Sequence, residues 1–262
     1  MPTRRWSWVT VVAPVCLGLI LLLGWWLTTA PGTIPRYLLP TPGAVARSLY
    51  NGLIARGDMW AYIGVTVSEA LLGCVAGFIV ALPLAVLIYR SKLVSAAVLP
   101  FLGATQAIPA VALAPLLVIW VGYGLGGIVA LCALMVFFPI LVSSVIGFRH
   151  IDTDILAAAQ VDGARGWSLL TFIEVPLALH AILGGVRNGF TLSVTGAVVG
   201  EMVMGGTGLG SLLFAQYHSF STADMFATII VLALIAAAIY SIVSMAERRW
   251  SNLNSPQPES NR

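Results

Sequence analysis

Long apolar runs separated by short polar breaks dominate the chain. A membrane-spanning helix needs about 20 mostly apolar residues, and we predict six such helices. They cover residues 8–28, 61–89, 94–121, 124–148, 178–204 and 223–246. The first run is longer than the core of a signal peptide, and Pro31 directly follows the candidate cleavage residue Ala30, which favours a retained helix. We expect one transmembrane domain over 1–250 and a polar, disordered tail over 251–262.

The composition supports an all-α integral membrane protein. Hydrophobic residues make up 59% of the chain and charged residues only 9%, whereas soluble domains carry about 25% charged residues. The basic residues form no patch, so nucleic-acid binding is not expected. The three cysteines lie inside apolar runs and the three histidines lack ligand spacing, so no metal site is predicted.

The basic residues also predict the orientation of the chain. If the N-terminus is cytoplasmic, nine of the 13 lysines and arginines fall on the cytoplasmic side, three fall outside and one, Arg187, lies within a run. The three outside are Arg36, Arg47 and Arg56. Because cytoplasmic loops are rich in Lys and Arg, we place both termini and the polar stretch 152–176 in the cytoplasm.

The stretch 152–176 is the most polar interruption between apolar runs. Asp152 begins a helix as a capping residue, residues 155–161 are good helix formers, and Gly163 ends the helix by adopting positive φ. A second short helix over 167–175 then precedes Pro176, which starts the next membrane helix. Helix–helix connections usually have about 2–8 residues, so a longer, helical connection favours a docking surface over a simple link.

The fifth apolar run separates into two faces when it is read at 100° per residue. Small residues form one stripe that suits close helix packing: Gly185, Gly189, Ser193, Gly196 and Gly200. A roughly opposite face is polar enough to line a solute path: Asn188, Thr191, Thr195, Val198 and Met202. Hydrogen bonding of these side chains to neighbouring helices is the alternative.

Two further features mark candidate path or gate residues. Pro109 and Pro115 predict a kink or an unwound segment in the third run, with Gln106 beside it as a path-lining residue. Ionisable side chains inside runs are costly and are functional candidates. They are Glu69, Arg187 and Glu201, each a gate residue or a partnered buried charge. The glycine-rich segment 205–210 reads as a flexible outer loop.

The polar stretch carries a family resemblance. The spacing of Ala158-Ala159, Gly163, Ile173 and Pro176 resembles the EAA loop of ATP-binding-cassette (ABC) importer permeases. Ala157 stands where that family has Glu, which leaves Asp154 or Asp162 as the source of negative charge. Other segments are similar to importers for sulfonates, taurine, nitrate and thiamine or riboflavin precursors. These are 39–42, 108–117, 137–140, 200–201 and 208–210.

The resemblance implies a fold and a role. It implies six transmembrane helices of the type I ABC importer kind with a cytoplasmic two-helix coupling loop, in a multi-pass protein of the bacterial inner membrane. The implied coupling residues are Ala157, Ala158, Ala159, Asp162, Gly163 and Pro176. The chain has no phosphate-binding loop, so ATP and Mg would be bound by a separate ATPase subunit, and this chain would hold no cofactor and no catalytic site.

The same resemblance implies partners and a substrate range. A second copy or a paralogous permease would complete the membrane part, and an extracytoplasmic binding protein would deliver a sulfonate, taurine, nitrate or a vitamin precursor such as a pyrimidine or riboflavin. A secondary transporter or channel acting without an ATPase is the alternative. Such transporters normally show repeated halves with broken helices in both, and this chain shows one unit only.

Overall fold

The computed structural model describes residues 8–30, 32, 34–106 and 109–254, and their regular structure is entirely helical. The helices are α1 Trp8–Thr29, α2 Pro42–Tyr50, α3 Met59–Arg90, α4 Lys92–Gln106, α5 Ala110–Trp120, α6 Leu125–Arg149, α7 Thr153–Val161, α8 Gly166–Leu169, α9 Val175–Met204, α10 Leu209–His218 and α11 Thr222–Asn254. Two π-helical turns, Asn51–Ala55 and Leu170–Glu174, extend α2 and join α8 to α9.

Five helical segments in the described part of the chain are long and apolar enough to cross a membrane. They are Val12–Thr29, Met59–Arg90, Leu125–Arg149, Gly166–Met204 and Thr222–Glu247. The predicted third run, 94–121, is not one helix but the shorter pair α4 and α5. Pro109 adopts extended angles (φ −62°, ψ 127°) just before α5. Proline lacks an N–H and disfavours helical angles in the residue before it, so the predicted break is confirmed.

Two other expectations differ from the structure. Helix α11 continues to Asn254, so the segment 251–254 is helical rather than part of a disordered tail; residues 255–262 lie outside the described part. The segment 205–210 is not simply a loop, because its last residues begin α10, a helix that the apolar pattern did not reveal. The N-terminal hydrogen bonds of α10 explain its presence and are described below.

The chain divides into two compact units, one of residues 1–60 and 212–231 and one of residues 61–211 and 232–262. In the described part of the first unit, Thr41 caps α2 by accepting a hydrogen bond from the Ala44 N–H (3.2 Å), as the Thr41-Pro42 pair predicts. The Trp25 indole N–H donates to the Pro40 carbonyl (2.9 Å), and Ser48 hydrogen-bonds to Asp224. These contacts connect α1, α2 and the start of α11.

The second unit is organised around the close pair α6 and α9. The whole predicted stripe of small residues on α9 is buried, and it faces α6. A Cβ atom on Gly185 would lie 2.8 Å from Ser143 Cβ and 3.0 Å from the Pro139 carbonyl oxygen. Close backbone approach of this kind needs small side chains, so the predicted packing role of the stripe is confirmed. Its consequence is that the opposite face of α9 is left free of α6.

Candidate functional site: the loop after α6 and the open face of α9

Helix α7 begins at its predicted capping residue. The Asp152 carboxylate accepts a hydrogen bond from the Asp154 N–H (2.9 Å), and Asp154 adds negative charge to the first turn, where the helix dipole favours it. No residue of α7 is buried. Ala157 and Ala158 are exposed and Ala159 is half-buried. The short side chains therefore leave a surface that another protein can approach closely.

Gly163 ends α7 in the left-handed region, at φ +94°. The turn closes through hydrogen bonds from the Gly163 N–H to the Gln160 carbonyl (3.1 Å) and from the Ala164 N–H to the Ala159 carbonyl (2.9 Å). A Cβ atom on Gly163 would meet nothing within 4 Å. Glycine is therefore required here for its backbone angles and not for space.

Large apolar side chains surround this turn without a partner in the described structure. Val161, directly before Asp162, is 87% exposed, and Trp167 is 77% exposed. Exposed apolar side chains grouped in this way are typical of a surface that another molecule covers. The residue pattern drew attention to the three alanines and Asp162 but did not single out Val161 or Trp167.

The second helix of the loop does not stop before Pro176. One continuous helix runs from Gly166 to Met204, through the π-helical turn Leu170–Glu174. In this turn the Val175 N–H bonds to the Leu170 carbonyl, one residue farther back than in an α-helix. Proline is tolerated in the first turn of a helix, where its missing N–H has little cost. Pro176 thus lies at the start of α9, as predicted, but the π-helical turn joins the loop to α9 without a break in helical structure.

A buried ion pair connects this joint to the end of α3. Glu174 Oε2 lies 2.6 Å from Arg90 Nη2, and the Tyr89 hydroxyl donates to Glu174 Oε1 (3.3 Å). The Glu174 side chain is only 2% exposed, whereas that of Arg90 is 39% exposed. Tyr89 also stacks on Phe148 near the end of α6, with ring centroids 5.4 Å apart. Sequence reasoning missed this cluster, although Glu174, two residues before Pro176 at the end of the polar stretch, was visible.

The face of α9 opposite its packed stripe is open within the chain. Asn188, Thr195 and Met202 are exposed and Thr191 is half-buried. The Thr191 hydroxyl donates to the Arg187 carbonyl (3.2 Å), one turn back on the same helix. Gln106 ends α4, but its side chain lies outside the described part of the structure.

Arg187 lies between these open residues but is paired. Its Nη1 is 2.8 Å from Glu247 Oε2 on α11, and its guanidinium lies 5.0 Å from the centre of the Tyr240 ring. His180 Nδ1 is 3.4 Å from the other Glu247 oxygen. A carboxylate and an aromatic ring thus contact the guanidinium, whereas its Nε is buried without a hydrogen-bond partner among the described residues.

Glu201 holds the N-terminus of α10. Its carboxylate accepts hydrogen bonds from the Gly210 N–H (2.6 Å), the Ser211 N–H (3.2 Å) and the Thr66 hydroxyl (2.6 Å). Glu69, the third ionisable residue predicted in the runs, is buried beside it. The segment 205–210 is therefore fastened at its end instead of being a free loop.

Within the described residues, no group of three or more His, Cys, Asp or Glu side chains is placed to hold a metal ion.

Comparison with known proteins identifies the class. The family model "Binding-protein-dependent transport system inner membrane component" matches residues 73–252. The riboflavin transport system permease protein RibX of Chloroflexus aurantiacus is 38% identical over 94% of this chain and 92% of its own length. A probable ABC transporter permease of Haemophilus influenzae is 32% identical over 93% of this chain and 99% of its own length. Relatives at 25–28% identity include permeases named for aliphatic sulfonates, formylaminopyrimidine and taurine.

A solved structure supports the fold independently. A chain in the structure titled "Inward facing conformations of the MetNI methionine ABC transporter" superposes with a TM-score of 0.65, covering 73% of this chain and 95% of that chain at 18% identity. The class is thus the membrane-spanning, non-catalytic subunit of an ABC importer. This chain belongs to the family of binding-protein-dependent transport system inner membrane components. Membership makes it a multi-pass inner-membrane protein and implies an ATPase and a binding protein as partners.

Proposed function

We propose that this chain forms the membrane path of an ABC importer for an uncharged heterocyclic vitamin or vitamin precursor of the riboflavin and aminopyrimidine type. The observation that carries the proposal is the 38% identity to RibX over nearly the whole of both chains. Identity to the sulfonate and taurine permeases is lower, at 25–27%. Riboflavin is therefore the first substrate to test.

The open face of α9 supports an uncharged solute. The candidate path residues Asn188, Thr191, Thr195 and Met202 offer an amide, hydroxyls and an adaptable thioether, which suit hydrogen bonding and contact with a flat ring system. A sulfonate or nitrate would favour a cation in the path. The cation on this helix, Arg187, is held by Glu247 at 2.8 Å. Gln106 is proposed as a further path residue beside the break at Pro109.

The loop between α6 and α9 is the proposed docking site for the ATPase. Its exposed alanines, Asp162, and the unpartnered Val161 and Trp167 would enter a groove on that subunit, and Gly163 sets the angle between the two helices. The lack of a Glu at 157 moves the charged contact to Asp154 or Asp162, both exposed. Each transporter would contain two such membrane subunits, a pair of this chain or this chain with a paralogue.

The proposed topology has six membrane passes with both termini in the cytoplasm. The pair α4 and α5, broken at Pro109, together makes the third pass. The other five are the long apolar helices. Glu69, Arg187 and Glu201 then lie within or at the ends of passes as buried or paired ionisable side chains.

Riboflavin transport is tested with the complete importer, made from this chain, its ATPase and its binding protein in proteoliposomes. Binding protein loaded with riboflavin should stimulate ATP hydrolysis and uptake, and taurine should not. Thr195→Leu should lower uptake and leave the amount of bound ATPase unchanged. Stimulation by taurine alone, with none by riboflavin or formylaminopyrimidine, would refute the substrate class.

The docking role is tested by co-purification of the ATPase. Deletion of Ala157–Gly163 should abolish co-purification, because it removes most of α7 and the glycine turn. Thr195→Leu is the matched control and should retain the ATPase. Uptake by this chain without any ATPase would contradict the importer mechanism as a whole.

A further inference from the structure

Two buried carboxyl groups meet at the turn between α9 and α10. Glu201, near the end of α9, is 1% exposed, and Glu69 on α3 is 4% exposed. Thr66, which donates a hydrogen bond to Glu201 (2.6 Å), lies one helical turn before Glu69 on α3, so the two carboxyl groups are neighbours. The solute path and the docking loop leave this pair without a role. We refer to Glu69, Glu201 and Thr66 as the carboxyl latch.

The two carboxyl groups are not equivalent. Glu201 accepts hydrogen bonds from the Thr66 hydroxyl and from the Gly210 and Ser211 N–H groups, at 2.6, 2.6 and 3.2 Å. Thr66 in turn accepts from the Leu209 N–H (2.8 Å). Glu69 receives no such donor, and its Oε2 is buried with no hydrogen-bond partner. Hydrogen-bond donors therefore surround the Glu201 carboxyl group, whereas Oε2 of Glu69 has none.

Close contact between two buried carboxyl groups needs a proton. An ionised carboxylate only accepts, so one member must carry the proton that it donates. The donors around Glu201 suit an ionised acceptor, which leaves Glu69 as the protonated donor. Two ionised carboxylates in contact, both out of water, would carry a large cost without a cation.

No cation relieves that cost in the described part of the structure. Neither Glu69 nor Glu201 forms an ion pair among the described residues. The titratable group that faces the pair from α6 is the Cys132 thiol, whose Sγ is directed to the Ser193 carbonyl (3.4 Å). The other groups that contact the pair are uncharged donors to Glu201: the Gly210 and Ser211 N–H groups of α10 and the Thr66 hydroxyl of α3. A proton is thus the charge that balances the site.

The backbone around the latch leaves little freedom. A Cβ atom on Gly208 would collide with the Glu201 carboxylate, and one on Gly206 would lie 3.1 Å from Glu201 Cγ. Gly205 starts the turn at φ +71°. The turn therefore closes directly over the carboxylate, and a change in the position of Glu201 must move the turn.

We propose that Glu69 and Glu201 form a proton-binding site that fastens the turn between α9 and α10. With one proton bound, Glu69 donates to Glu201, and Glu201 holds the N-terminus of α10. Loss of this proton places two like charges in contact, so Glu201 releases α10 and the turn 205–208 opens. The placement of this turn on the outer side of the membrane rests on the topology proposed above; the proton site itself does not.

Infrared spectroscopy tests the shared proton on the purified full-length protein. The wild type should show the C=O stretch of a protonated carboxyl group that shifts in D₂O. Glu69→Gln should lose this band, because the amide replaces the acid. Glu174→Gln is the control and should keep it, since Glu174 is paired with Arg90. A wild type without the band, or a band that survives Glu69→Gln, overturns the proposal.

A labelling experiment tests the opening of the turn and does not depend on transport or on the ATPase. Thr207→Cys, in a background without the native cysteines, is treated with a maleimide at increasing pH, with rates corrected for thiol ionisation on a denatured sample. The labelling rate should rise severalfold, and with Glu69→Gln it should stay low and flat, since the amide still donates to Glu201. A flat wild-type profile overturns the proposal. So does a rise that depends on sodium concentration instead of pH, because the site then holds a metal cation.

Discussion

The ion pair between Arg90 and Glu174 makes a sharp prediction, because its two partners are unequally buried. Glu174 is 2% exposed and Arg90 is 39% exposed. In Glu174→Gln the carboxylate is gone and Arg90 can turn to water. The free energy of unfolding then falls by at most the contribution of a charged hydrogen bond, about 1.5–3 kcal/mol. If Arg90→Met removes the cation and keeps the apolar stem, Glu174 stays buried without its partner. That change should cost about 3 kcal/mol or more.

The order of these costs is measurable by reversible unfolding in mixed detergent micelles. Arg90→Met should destabilise more than Glu174→Gln, and the double variant should resemble Glu174→Gln alone, because no buried charge is left. The expected coupling energy is then about 3 kcal/mol, the full cost of Arg90→Met. Arg149→Met is the matched control. Arg149 also ends a helix, is itself exposed and donates a hydrogen bond to the Ser95 hydroxyl (2.8 Å), so its loss should change stability by about 0.5 kcal/mol or less.

Two results would refute this reasoning. Equal costs for Arg90→Met and Glu174→Gln would mean that burial of Glu174 has no energetic role. Additive costs in the double variant would mean that the two side chains do not interact. The pair also joins the proposed docking loop to α3, so Glu174→Gln should lower uptake per ATP hydrolysed while the ATPase stays bound.

Two further predictions concern glycines. Gly163→Ala forces a Cβ onto a residue at φ +94°, at a cost of about 1 kcal/mol. This variant should retain less ATPase in a pull-down, whereas Gln160→Ala should retain as much as the wild type. Equal retention by the two variants would mean that the turn is not part of the docking surface. Gly185→Ala brings a Cβ within 3.0 Å of the Pro139 carbonyl and should cost about 1–3 kcal/mol, seen as a lower apparent melting temperature. A Cβ atom on the neighbouring Gly184 would meet nothing within 4 Å, so Gly184→Ala should be neutral or stabilising. Equal effects of the two substitutions on the melting temperature would contradict the packing of α9 on α6.

Local signals predicted the parts of the site that depend on neighbouring residues. Asp152 caps α7 and Gly163 ends it, because both effects act within one helical turn. The small-residue stripe of α9 was readable from its period alone. The break near Pro109 followed from the missing N–H of proline, although the pattern did not show that it divides the run into two helices.

Long-range pairings could not be read in this way. Arg90 and Glu174 are 84 residues apart, and Thr66 and Glu201 are 135 apart. The periodicity of an apolar run does not identify which charged residue on another helix will pair with a charged residue in that run. Helix α10 was missed for the same reason, since the group that satisfies its first N–H groups is Glu201, which precedes a glycine-rich segment that looks like a loop.

The continuous helix from Gly166 to Met204 has a mechanical consequence. Its 39 residues amount to a rod about 58 Å long at 1.5 Å per residue. If such a rod tilts by about 5° about one end, the other end is displaced by about 5 Å, close to one helical turn. The Leu170–Glu174 turn, held by Arg90, lies near the pivot, and Glu201 lies at the far tip. If the helix moves as one body, a small displacement of the loop after α6 would thus become a larger displacement at the carboxyl latch.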